Sequence, residues 1–140
     1  MSYLLDTCTL SEFARRRPDV RVVDWFERQN EEELFLSAIV LGELAKGIAQ
    51  LEENPKKHRL HSWLYTDLCN RFEGRILPVT PAVATEWGTL SGSLRRQGVQ
   101  LGMADGLIAA TALVHSLVVV TRNTADITPA GIPVFNPWED

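Results

Sequence analysis

Residues 104–121 read ADGLIAATALVHSLVVVT. From Ala104 to Ser116 the stretch is apolar nearly all round, which is the pattern of a helix buried on several sides. Leu117 to Thr121 is a strongly apolar, mostly β-branched run, the pattern of a strand covered on both faces. A buried helix feeding directly into a buried strand is the repeating unit of an α/β protein. One charge interrupts it. Asp105 stands at the head of the apolar helix, where its carboxylate needs a partner, a cap role or a cation.

The same alternation extends in both directions. Residues 2–6, 33–37, 75–79 and 134–135 read as further strands. Thr7 to Arg17 reads as a helix stopped before Pro18, and Asp19 as the N-cap of a second helix carrying Val22, Val23, Trp25 and Phe26. Ser37 caps a helix from Ala38 to about Glu53, ended by Asn54-Pro55. Leu60, Trp63, Leu64, Leu68 and Phe72 recur at helical spacing on another, over Pro55 to Phe72. Thr80 precedes Pro81 as cap and first residue of a helix reaching about Gln97. The expected fold is α/β: one domain over 1–140, with a mostly parallel sheet of about five strands between helical layers.

Composition narrows the class. A chain of 140 residues that is 45% hydrophobic can close one core. It has no apolar run of membrane-span length, and its N-terminus lacks the basic and long apolar segments of a signal peptide. Two cysteines, Cys8 and Cys69, form no metal-binding spacing. A cytoplasmic protein without membrane association is expected. The net charge of −4 argues at face value against a nucleic-acid binder.

Four acids change that inference. Asp6 ends the first strand, Glu43 lies in the second turn of the helix after strand two, Asp105 opens its apolar helix, and Asp126 follows the strand ending at Val120. In open α/β sheets, ligands bind outside the carboxyl ends of the strands, and all four acids fall on that edge. Without them the rest of the chain is neutral. Semi-buried carboxylates with no His or Cys beside them suit Mg²⁺ or Mn²⁺ rather than zinc. Such a centre hydrolyses phosphodiesters. Acidity therefore does not exclude RNA or DNA as substrate.

The segments carrying these acids resemble a known family. Leu4-Leu5-Asp6-Thr7, Ser37 through Glu43-Leu44, Ala104-Asp105-Gly106 through Ala112, and Val120-Thr121-Arg122-Asn123-Thr124-Ala125-Asp126-Ile127 are similar, in this order, to PIN-domain ribonucleases of the VapC type from bacterial toxin–antitoxin systems. Val134-Phe135-Asn136-Pro137-Trp138 resembles the tail common in that group. The resemblance implies a Mg²⁺- or Mn²⁺-dependent endoribonuclease toxin, commonly a homodimer, inhibited by a cognate antitoxin whose tail enters the acidic site. It implies that Asp6, Glu43 and Asp105 hold the metal. Some members carry Asp where this chain has Asn123, so the fourth role is divided between Asp126, which would supply charge, and Asn123, which would orient water. Thr7 and Thr121 fall on hydroxyl positions that support the site, and Arg122 is the expected phosphate contact. The rival functions are a structure-specific DNA nuclease, a catalytically silent module docking a basic peptide in the acidic groove, and, last, a phosphoacceptor domain.

Other features have ordinary readings. Arg15-Arg16-Arg17 either touches RNA phosphates or complements a helix C-terminus. Lys46 either neutralises Glu43 or faces the groove. His58 and His61 read as a solvated helix face beside Lys56, Lys57 and Arg59. Ala84, Gly88 and Gly92 recur every four residues and suggest close helix packing. Trp138 reads as a tail anchor, and Cys8 as a packed small hydrophobe rather than a nucleophile.

Overall fold

The structure is a computed structural model that describes residues 1–139. Strand β1 (Tyr3–Leu5) leads into α1 (Thr7–Phe13) and α2 (Val20–Glu27). A 3₁₀ turn at Glu31–Glu33 precedes β2 (Leu34–Ser37), α3 (Ala38–Ala49) and α4 (Pro55–Ser62). Helix α4 passes through a π-helical stretch, Trp63–Leu68, into α5 (Cys69–Arg71). Then follow β3 (Ile76–Leu77), α6 (Pro81–Arg96), α7 (Met103–His115), β4 (Val118–Val120), α8 (Thr124–Ile127), a 3₁₀ turn at Thr128–Ala130, and β5 (Val134–Phe135).

The five strands form one parallel sheet in the order β3-β2-β1-β4-β5. Tyr3 stands opposite Leu34 on one side and Val118 on the other, and Leu5 opposite Val120. The chain leaves β1 toward β2 and later returns on the opposite side as β4. That reversal beside β1 is the switch point at which such sheets bind ligands. Leu4, Leu5, Leu34, Leu36 and Val119 are fully buried, as a sheet covered on both faces requires. Helix α7 buries every residue from Gly106 to Ala112.

Local chemistry explains the boundaries. The side chains of Asp19, Ser37 and Thr80 accept from backbone amides at the starts of α2, α3 and α6, the cap roles their residue types favour. Four expectations are corrected. Helix α1 stops at Phe13 rather than Arg17, because the Glu12 carboxylate turns inward and accepts the Asp19 amide at 2.9 Å, folding the corner back. Helix α3 ends at Ala49, and Asn54 is the N-cap of α4, accepting from the Lys57 amide, rather than a terminator. Strand β3 covers only Ile76–Leu77, and Glu33 lies in a turn. Gly88 and Gly92 face open space. The close approach of α6 and α7 is made at Gly106, where an added Cβ would stand 2.8 Å from Trp87 Cδ1.

Candidate active site

The four acids come to the carboxyl edge of the sheet by different routes. Asp6 continues β1 and caps α1. Its Oδ1 accepts the Thr7 amide at 2.7 Å, and its Oδ2 accepts the Thr121 hydroxyl at 2.7 Å. It is 7% exposed. Glu43 projects from α3, and its Oε1 accepts the Thr7 hydroxyl at 2.6 Å. Thr7 thereby joins the first two acids, through its amide to Asp6 and its hydroxyl to Glu43.

Thr121 does the same on the other side. It is fully buried, donates to Asp6, and accepts the Asn123 amide at 3.0 Å. Asn123 then opens the short helix α8, whose Asp126 amide donates to the Asn123 carbonyl at 3.1 Å. Asp105 lies in the first turn of α7, near the positive end of the helix dipole. Burial, followed by the charges of Asp6, Asp126 and Glu43, nevertheless pushes its carboxyl up to about 6. Three acids from three other elements therefore bear on Asp105 at once.

The expectation that all four are semi-buried is corrected. Asp6 is buried and Asp105 half-buried, but Glu43 and Asp126 are exposed. An acid at the end of a strand is enclosed by neighbouring strands, whereas one on a helix flank or short turn keeps its solvent. Among the described residues none of the four forms an ion pair. Nor do any three Asp, Glu, His or Cys side chains close into a preformed ligand cage. The arrangement is a hard-oxygen donor set whose own repulsion is uncompensated by protein cations. That is the chemistry that suits a divalent ion held partly through water.

Arg122 is exposed at the same edge, but its guanidinium stacks 5.3 Å from the Trp138 ring centroid, and its charge bears on Asp19. Asn136 Nδ2 donates to the Arg122 carbonyl at 3.5 Å, so the buried tail shapes this rim. Cys8, whose contacts the sequence did not signal, packs its sulfur 3.6 Å from Asp6 Oδ2 and 3.5 Å from Thr121 Oγ1. Burial raises its thiol pKa, so it is a poor nucleophile. His58 pairs with Glu53, and His61 stacks on Tyr65, away from any ligand role.

A groove of about 880 Å³ begins at Thr7 and Glu43 and runs between α1, α3 and α4. Its floor includes Leu44, Ile48 and Leu60, with Trp63 at its side, and Arg15, Arg16, Lys56 and Arg59 stand along it. No local pattern joins Lys56 and Arg59 to an arginine cluster some forty positions earlier. The fold does so, with Arg59 Nη1 donating to the Ala14 carbonyl at 3.3 Å.

Known proteins share this fold. Residues 3–127 match the PIN domain, and the chain belongs to the PIN-domain family. Within it, the chain is 42% identical to Toxin FitB of Neisseria gonorrhoeae over 137 residues, which cover 98% of this chain and 99% of that protein. It is 35% identical to the VapC ribonuclease Y4jK of Sinorhizobium fredii over 136 residues, 97% of each. The crystal structure of FitAcB from Neisseria gonorrhoeae superposes with a TM-score of 0.92 at 41% identity, covering 99% of both chains. DNA-bound VapBC from Salmonella typhimurium gives 0.83 at 25% identity, covering 98% of both.

Proposed function

We propose that this chain is a divalent-cation-dependent endoribonuclease acting as the toxin of a toxin–antitoxin pair. The observation that carries this reading is the uncompensated acid set at the switch point, with Asp105 held near 6 by burial and three other carboxylates. Mg²⁺ or Mn²⁺ fits that set because every donor is a hard oxygen and no protein cation competes. Asp6, Glu43 and Asp105 would hold the ion, and Asp126 with Asn123 would complete its surroundings. When bound, it would supply electrostatic stabilisation of the phosphodiester as charge develops in hydrolysis.

The chain's own contribution is positioning. Thr121 and the Thr7 amide fix both oxygens of Asp6, and the Thr7 hydroxyl fixes Glu43. Thr121 also holds the Asn123 backbone, which sets where that amide side chain meets solvent. The named relatives, a toxin and a VapC ribonuclease, support RNA as substrate. The FitAB and VapBC complexes support a cognate antitoxin as partner. We read the chain as one domain over residues 1–140, homodimeric and cytoplasmic. No helix among the described residues is long and apolar enough to cross a membrane. Light scattering of the purified protein tests the dimer.

Purified, antitoxin-free protein is expected to cut RNA with Mg²⁺ or Mn²⁺, to stop with a chelator, and to prefer RNA over DNA of the same sequence. Asp105→Asn is expected to abolish cleavage while folding is retained. A folded variant cutting as fast as the parent overturns the assignment. The alternative is a silent module that docks a basic peptide on the acids, two of which, Glu43 and Asp126, are exposed. Calorimetry separates the two: no heat from Mn²⁺ at the acids supports the silent module.

A further inference from the structure

We infer that the groove between α1, α3 and α4 is the track for single-stranded RNA leaving the acidic site, with Arg15, Arg16, Lys56 and Arg59 on its phosphates. The inference rests on the ribonuclease reading above and names where the substrate lies.

A polyanion must approach a chain of net charge −4 at an edge carrying four acids. Coulomb repulsion there opposes binding unless cations line the path, the more so because salt screens charges over short distances. The groove supplies them. One end is formed by Thr7 and Glu43 of the acid site, and four cations follow along it. Helix α1 carries the track from Thr7 toward Ala14, roughly 10 Å at the helical rise per residue. Arg15 is half-committed, pairing with Glu12 at 3.3 Å. Arg16, Lys56 and Arg59 are exposed and form no ion pair among the described residues. Arg59 gives Nη1 to the Ala14 carbonyl and keeps its other donors, Arg16 and Lys56 point no donor at a protein acceptor among the described residues, and the half-buried Trp63 offers a ring for base stacking in the same groove.

An acidic amphipathic peptide would match the same charge and the aliphatic floor. The strand of RNA is favoured because the groove is continuous with the acids, so a substrate whose scissile phosphate lies there extends straight into it. Lys56 and Arg59 belong to α4, an element that carries none of the four acids.

The test uses Arg16→Ala/Lys56→Ala, two exposed side chains that make no hydrogen bond or ion pair among the described residues. Binding of a labelled single-stranded oligoribonucleotide of mixed sequence is followed by anisotropy in chelator, across a salt series. Cleavage is followed separately with Mn²⁺. Two lost phosphate contacts should lower the slope of log affinity against log salt by about 1.4. KM should rise roughly tenfold with kcat unchanged, the pattern of a lost uniform binding contribution. Arg16→Lys/Lys56→Arg should restore both. If the parent cuts RNA and the double variant keeps its slope and KM, the track is refuted while the ribonuclease reading stands. If the double variant loses only affinity for a synthetic acidic amphipathic helix, the groove is a peptide seat and the inference fails. If the parent neither binds nor cuts RNA, both readings fall together.

Discussion

Asp105→Asn should make the cation-free protein more stable while removing its activity, and the size of the gain follows from the site. Burial and the charges of Asp6, Asp126 and Glu43 raise the Asp105 carboxyl from 3.8 to about 6. A shift of that size would correspond to about 3 kcal/mol with no solvent present. The side chain keeps contact with water, and screening reduces the figure to about 1 kcal/mol. Because the folded value is the raised one, the folded state holds a proton between pH 4 and 6 that the unfolded chain has released. Wild-type stability therefore falls as pH rises through that window and stays reduced above it. Asn carries no charge and escapes the penalty.

The expected result is a variant melting about 3 °C above the parent at pH 7.5, with the difference vanishing near pH 4. Divalent cation should reverse the order. The parent gains about 2.7 kcal/mol at a hundredfold excess over Kd, whereas a variant stripped of one ligand gains little. Thermal unfolding at several pH values, with chelator and with Mn²⁺, reads all three outcomes. A variant no more stable than the parent in chelator at pH 7.5 would refute the electrostatic account. One stabilised by Mn²⁺ as strongly as the parent would refute the assignment of Asp105 to the ion.

Three further substitutions probe the scaffold. Thr121→Val removes the donor to Asp6 Oδ2 and the acceptor of the Asn123 amide; we expect a loss of about 2 kcal/mol in urea unfolding and a lower turnover, with Thr121→Ser restoring most of both. Glu12→Ala strands the Asp19 amide and should cost about 2 kcal/mol, whereas Glu12→Gln keeps an acceptor and should cost less, again by urea unfolding. Gly106→Ala drives a methyl into the Trp87 indole, which should lower the melting temperature through about 1–3 kcal/mol of overpacking and shift the tryptophan emission.

Much of this molecule was legible in sequence because the signals were local. Val118–Val120 could only be a buried strand, and the caps at Asp19, Ser37 and Thr80 each follow from one side chain and one amide. The four acids could be placed on one edge because strand polarity alone fixes which end they occupy. Where residues distant in sequence decide the outcome, the reading was incomplete. Nothing local marks Glu12 for burial, yet it is 3% exposed because it accepts the Asp19 amide inside. Gly88 and Gly92 had the spacing of a packing stripe, but the contact fell on Gly106, which a pattern within α6 alone does not reveal. Short α8 had too few residues for periodicity to register.

The gradation of exposure among the acids bears on how the fourth position works. Four fully buried carboxylates without a cation would repel one another strongly enough to endanger the cation-free fold. Here only Asp6 is enclosed, and both of its oxygens already have donors. Glu43 and Asp126 stay in water, where their charge is cheap, yet both remain near enough to act on Asp105. The Asn123 backbone amide is linked to Asp6 through the Thr121 hydroxyl, and an uncharged side chain at this position adds no charge near the enclosed acid. Charge and position are thus divided between two residues of one short turn: Asp126 contributes to the field at Asp105, and Asn123 is tied to the geometry of Asp6. An acid at both places would raise the repulsion at the rim, and an amide at both would remove one of the three charges that bear on Asp105.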